Sequence, residues 1–264
     1  MIAQFALRLI CGMSLLWAIM PRRQVTSGFF RIQMLVVMGL GVLAALTVES
    51  GTWQNRHLTI PKLSETWSWW LSSLMALAGF AGSVWWTLER RRIGEWTGFV
   101  ILGLSLAELT LLNLRQGGWP TWWECLDPVS QVSGAAVVGS AVVGMLLGHW
   151  YLTAPTMSIA PLQRVAQWLG VAGVVRLLLS AYVLGTCFCG VRMVTEFDGT
   201  TWTWLCLRWL GGILGPILVS LMVWRILKYR NTQAATGVLF VGVILAFIGD
   251  MTAALLLRET GLPL

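Results

Sequence analysis

Charge is scarce in this chain. Asp, Glu, Lys and Arg together make up 11% of its 264 residues, against about 25% in an ordinary soluble domain. So few charges cannot cover a water-soluble globule of this size. Hydrophobic residues fill 57% of the chain, and a lipid solvent allows the outside to be apolar as well. Histidine is scarcer still, with only His57 and His149. No Gly-rich phosphate loop, Ser-His-Asp set or Cys-x-x-Cys pair occurs. Cys187-Phe188-Cys189 has neither redox nor zinc spacing. Long polar stretches are missing too. No segment between apolar runs could fold alone, so residues 1–264 read as one membrane domain.

What is present is a series of apolar runs. A hydrocarbon core about 30 Å thick needs roughly 20 residues of helix. Eight segments qualify: Ile2–Met20, Phe30–Val48, Trp67–Leu88, Thr97–Leu114, Val132–Thr153, Val165–Phe188, Trp204–Leu227 and Gln233–Leu257. The fourth is the shortest and most polar, and is the one expected to fail if any does. Backbone groups in lipid must pair within their own segment, so the runs are helices. The fold class is therefore all-α, a polytopic bundle of eight transmembrane helices. The first run reads as an uncleaved helix, because Arg22 and Arg23 follow its apolar core and no Lys or Arg precedes it in Met1–Leu7.

Basic residues give the orientation. The odd-numbered loops and their helix ends carry Arg22, Arg23, Arg31, Arg90, Arg91, Arg92, Arg164, Arg225, Lys228 and Arg230, whereas the even ones carry Arg56, Lys62, Arg115 and Arg192. Positive charge favours the cytoplasmic side, so both termini are expected outside, across a bacterial-type inner membrane. Tryptophan agrees. Trp53, Trp67, Trp69, Trp70, Trp119, Trp122, Trp123, Trp202, Trp204 and Trp209 fall toward the outside, and Trp17, Trp85, Trp86, Trp96, Trp150, Trp168 and Trp224 toward the cytoplasm. Two aromatic belts at headgroup depth are the expected pattern. The formal charge of +7 is thus topogenic and does not point to nucleic acid, for which no basic groove with interleaved aromatics exists.

Arg8, Glu108, Arg176 and Asp250 lie inside apolar runs. Such residues face the bundle interior and pair, because a charge at the bilayer centre costs about 2.5–3.5 kcal/mol or more. Arg176 is expected to reach Asp250 or Glu108. The cluster reads either as an ion-pair network that fixes helix register or as a proton or ligand site. His149, Tyr151 and Arg164 gather at the cytoplasmic end of the fifth helix. They form either an interfacial anchor or a donor set for a quinone carbonyl or a lipid headgroup. Ala136, Ser140, Gly144 and Gly148 recur every four residues, and Gly211, Gly215 and Pro216 repeat the theme. Small-residue stripes allow close helix packing, within the bundle or against another membrane subunit. Pro216 should kink its helix. Cys206 is expected to pair with Cys125, Cys187 or Cys189, all on the oxidising side. Bis-histidine haem does not fit, since His57 and His149 lie on opposite sides. No metal or other cofactor is expected beyond a quinone or bound lipid.

Three functions fit these features. The first is a non-catalytic or quinone- or lipid-binding subunit of a larger respiratory-type membrane complex. Gly249-Asp250 resembles the Gly-acid pair in the last helix of the membrane anchors of dimethyl-sulfoxide-reductase-type enzymes, whose helix count is similar. That likeness rests on those two residues and the helix count alone. The second is a proton- or ion-coupled transporter using Glu108, Arg176 and Asp250, for which internal repeats and broken helices are expected. The third is an intramembrane lipid-modifying enzyme whose Arg clusters grip phosphate.

Overall fold

The structure is a computed structural model that describes residues 2–48, 61–114, 126–154, 157–188 and 199–260. Several sequence expectations fall outside the described residues: His57, Cys125, Cys189, Trp53, Trp119, Trp122 and Trp123, and the even-loop bases Arg56, Arg115 and Arg192. The side chains of Lys62 and Cys187 fall outside as well.

Among the described residues all regular structure is helical. The elements are α1 (Ile2–Ile19), α2 (Ser27–Val48), α3 (Pro61–Thr87), α4 (Arg91–Leu114), α5 (Leu126–Thr153), α6 (Ala160–Phe188), α7 (Gly199–Leu207), α8 (Gly215–Lys228) and α9 (Thr232–Thr260). A 3₁₀ turn, Arg22–Gln24, lies between α1 and α2, and a π-helical segment, Arg208–Leu214, runs from α7 into α8.

Seven stretches are long and apolar enough to cross a membrane: Ile2–Ile19, Ser27–Thr47, Arg91–Leu112, Pro128–Thr153, Ala160–Thr186, Gly199–Lys228 and Thr232–Arg258. The fourth expected span is therefore sound. Helix α4 begins at Arg91, six residues before the apolar run, which lengthens it to 24 residues. The shortfall lies in the third instead. Helix α3 has 27 residues, ample in length, but serine and tryptophan dilute its apolar run. Three of its serines are turned inward: Ser68 and Ser72 are fully buried and Ser83 nearly so.

Exposure is inverted relative to a soluble protein. Leu46, Leu178 and Leu210 are 67%, 64% and 65% exposed, while Glu108 is wholly buried. A soluble chain does not offer water so much contiguous apolar surface. A lipid-facing exterior accounts for it.

The chain divides into two compact units, Met1–Ala135 and Ala136–Leu264. In the first, α2 and α3 pack at backbone range. A Cβ on Gly41 would lie 2.9 Å from the Ala76 amide nitrogen, and one on Gly79 would lie 2.8 Å from the Met34 carbonyl oxygen. Phe30, Met34, Met75 and Ile101 fill the interior around this seam. Helices α3 and α4 join through a tight turn in which Glu89 takes a left-handed backbone, φ 55°. The Arg90 amide there donates to the Trp85 carbonyl at 3.0 Å, satisfying an end-of-helix oxygen.

In the second unit, Arg230 closes the α8–α9 turn in the same left-handed conformation. The Ser220 hydroxyl donates across to the Ala166 carbonyl at 2.8 Å, tying α8 to α6. The two glycines of the α5 stripe pack against this unit: Gly144 meets Leu239 and Val165, and Gly148 meets Thr236. Pro216 sits at the start of α8, and the widened π turns precede it. Proline lacks an N–H and crowds the carbonyl four residues back, here that of Gly212. Widening the helix relieves the crowding, and the Gly215 amide bonds to the Leu210 carbonyl, a five-residue step. The expected kink is thus a π distortion.

The closest helix crossing in this unit is Gly212 against Gly249. A Cβ on Gly212 would fall 2.4 Å from the Gly249 Cα, and one on Gly249 would fall 2.2 Å from the Gly212 Cα. Gly212→Ala and Gly249→Ala should each cost about 1–3 kcal/mol or more through overpacking. Gly237→Ala, with nothing within 4 Å of its Cβ, should be neutral or slightly stabilising. Thermal unfolding of the three variants in detergent, followed by size exclusion, checks this. Equal melting temperatures for Gly212→Ala and Gly237→Ala would contradict it.

Candidate functional site

Buried polar groups fall into two sets, one in each unit. The first unit holds Glu108 on α4 and Arg8 on α1. Glu108 has no exposed surface. Its Oε1 accepts the hydroxyls of Ser68 at 2.7 Å and Ser72 at 2.8 Å. Those serines stand four apart on α3, one above the other on a single helix face. Two donors on one oxygen offset part of the cost of removing the acid from water. Arg8, 4% exposed, donates from Nε to the side-chain oxygen of the equally buried Gln131 on α5. Neither the serine pair nor Gln131 was legible as a partner. The signal for the serines was the i, i+4 spacing on a helix otherwise crowded with tryptophan.

The second unit holds Arg176 on α6, Asp250 on α9 and a third charge, Arg208, at the start of the π segment. All three are buried. Arg208 was not among the residues expected from sequence, because it lies in the first turns of its span, where an arginine reads as interfacial. Its Nη1 donates to the Gly249 carbonyl at 2.9 Å, and the Thr252 hydroxyl shares that oxygen at 3.0 Å. Arg208 is thereby brought beside the Gly249-Asp250 pair. Ser180, one turn beyond Arg176, is also buried. Arg176 and Asp250 thus share a unit, whereas Glu108 belongs to the other.

The interfacial trio separates. His149 and Arg164 are exposed. Tyr151 is buried, and its hydroxyl donates to the Ser158 carbonyl. It pins the loop between α5 and α6, leaving the other two as surface donors. Cys206 is exposed, and its three expected partners lie outside the described side chains. Among the described residues, no three of His, Cys, Asp and Glu converge in a metal-binding group.

Outside the spans, Arg22 follows α1. Its Nε donates to the Trp17 carbonyl at 2.7 Å, and its Nη1 lies 3.6 Å from Glu95 Oε2. Partial burial lowers its pKa, and the Glu95 carboxylate opposes that shift. No protein-family model, curated protein or solved structure matches this chain.

The two serines on Glu108 generate a direct test. Ser68→Ala and Ser72→Ala should each destabilise the protein by about 1–3 kcal/mol, the cost of stripping a donor from a buried acceptor. Ser83→Ala is the comparison, because that hydroxyl bonds only to the Phe80 carbonyl of its own helix, and it should change little. Melting temperatures in detergent distinguish the cases. An undisturbed Ser68→Ala/Ser72→Ala double variant would show that Glu108 does not depend on them.

Proposed function

We propose that this chain is an eight-span inner-membrane protein with both termini outside, acting as a non-catalytic, quinone- or lipid-binding subunit of a larger respiratory-type complex. Helix α3 supplies the eighth span, its 27 residues crossing the bilayer with Ser68, Ser72 and Ser83 inward. Exposed tryptophans near helix ends, among them Trp67, Trp70, Trp96, Trp202 and Trp224, support the two aromatic belts. Lys228 lies 3.8 Å from the Trp224 ring centroid, a pairing suited to headgroup depth. The basic odd loops then face the cytoplasm.

The observation that carries the subunit reading is how the buried charges are held. Glu108 is met by two hydroxyls, Arg8 by an amide oxygen and Arg208 by a backbone carbonyl. These groups fix helix register and keep polar atoms from lipid, as a scaffold requires. Asp250 and Arg176 lie buried in the same unit as Arg208. His149 and Arg164 offer a cation and an imidazole donor to a quinone carbonyl or a lipid headgroup. The transporter reading has one specific support, the π-helical break before Pro216, since discontinuous helices line transport sites.

Two measurements test the proposal. Reporter fusions should place the Trp119–Pro128 loop and the residue after Leu264 outside and Arg90–Arg92 in the cytoplasm. A cytoplasmic signal after Leu264 would defeat the eight-span orientation. Copurification from native membranes in mild detergent should recover a stable redox-active partner, with Asp250→Asn lowering folded yield. A solitary chain that supports solute uptake, and whose folded Asp250→Asn variant loses that uptake, would favour the transporter instead.

A further inference from the structure

A small cavity lies among α1, α2, α3 and α4, beside the Arg22–Glu95 ion pair. Trp17, Phe30, Met34, Trp86, Gly98 and Phe99 provide most of its wall. The space at its centre is about 10 Å³, room for one water-sized group. Trp17 and Trp86 are 3% and 2% exposed. The indole N–H of each is buried with no acceptor among the described residues. Buried donors are almost always satisfied in folded proteins, and a ligand or a water is the partner still to be supplied. The Trp86 indole is oriented by its stack on Phe30, with ring centroids 4.5 Å apart. Its Nε1 edge faces Gly94, where a Cβ would come within 2.7 Å, and Gly94 also lines the cavity.

The rim decides what such a site would accept. Arg22 carries one positive charge, but it is directed at the Trp17 carbonyl, at Glu95 and over the Phe99 ring at 4.6 Å. The Glu95 carboxylate balances it, so the mouth is close to neutral and offers an anion no net attraction. The walls are aromatic and thioether, suited to an apolar body. Two N–H donors, a neutral rim and apolar walls select an uncharged acceptor oxygen on a lipophilic molecule.

We propose that this cavity binds the carbonyl oxygen of a membrane amphiphile, a quinone or an acyl ester, with the Trp86 and Trp17 indoles as donors. The inference rests on the chain residing in a membrane. It does not rest on the partner-subunit reading or on His149 and Arg164, so its failure is distinguishable from theirs.

The test uses the purified full chain in mild detergent and two photoactivatable probes, an azido-ubiquinone and a diazirine-bearing phosphatidylethanolamine, with labelled residues mapped by mass spectrometry. One probe should label residues around Trp17 or Phe99, and which one does so identifies the source of the carbonyl. Two variants should each cut that labelling roughly fivefold, the worth of about one hydrogen bond, while leaving the melting temperature near wild type. Trp86→Phe keeps the ring stack and removes the donor. Gly98→Ala fills the space, yet its Cβ would meet only ordinary neighbours at 3.8 and 3.9 Å. Labelling that avoids this region with both probes, or that is unchanged in both variants, would overturn the proposal and leave a single buried water as the cavity's occupant.

Discussion

Hydrocarbon withdraws water as a hydrogen-bonding partner, and the rest of this structure follows from that. Backbone groups are satisfied first, which restricts each span to helix. Polar side chains then have two ways to be satisfied. Some turn back on their own helix: the hydroxyls of Ser14, Ser83, Ser140 and Thr252 bond to carbonyls three or four residues earlier. Others reach across to a neighbour: Ser68 and Ser72 to Glu108, and Ser220 to the Ala166 carbonyl. The second kind joins helices, and each example lies where two elements come close.

Close approach has its own cause. Lipid tails are as apolar as leucine, so burying a leucine between helices gains little over leaving it in lipid. Van der Waals contact and short polar bonds must supply the association, and both need backbones near one another. Gly41 against Ala76, Gly79 against Met34 and Met38, and Gly212 against Gly249 are where that occurs. A leucine left facing lipid forfeits little, which is why the most exposed residues include leucines.

The spans were legible because a run of about 20 apolar residues is a long signal. Even the misjudged balance between α3 and α4 concerned how polar a span is, not whether a helix forms. Arg8, Glu108, Arg176 and Asp250 were legible for the same reason: an ionisable residue in an apolar run stands out, whereas Arg208, near the start of its run, did not. Their partners were not. Ser68, Ser72, Gln131 and the Gly249 carbonyl carry no charge, and a neutral partner 36 residues or more away leaves no mark in composition. Which helix faces meet depends on rotation about each axis, and a single sequence constrains that weakly. The small-residue stripe shows how a periodicity argument slips. Steps of four through Gly211 and Gly215 presume a regular α-helix. The π segment adds a residue to its turns, which shifts the phase and brings Gly212 to the crossing.

That local phase shift links features that otherwise look separate. Pro216 removes a backbone donor and needs room near the Gly212 carbonyl. The π segment makes that room, and it begins at Arg208. Because Gly212 and Gly249 both lack a side chain, the two backbones come together, and the Arg208 guanidinium can cross to the Gly249 carbonyl at 2.9 Å. A Cβ on Gly212 would stand 3.2 Å from Nη1 of Arg208, so the glycine clears the arginine's path as well as the helix crossing. The carbonyl reached belongs to the residue immediately before Asp250. A buried cation needs an oxygen partner, a proline needs a widened turn, and a tight crossing needs two glycines. The stretch from Arg208 to Pro216 meets all three requirements, and it places its one arginine at the residue pair where α9 carries its buried acid.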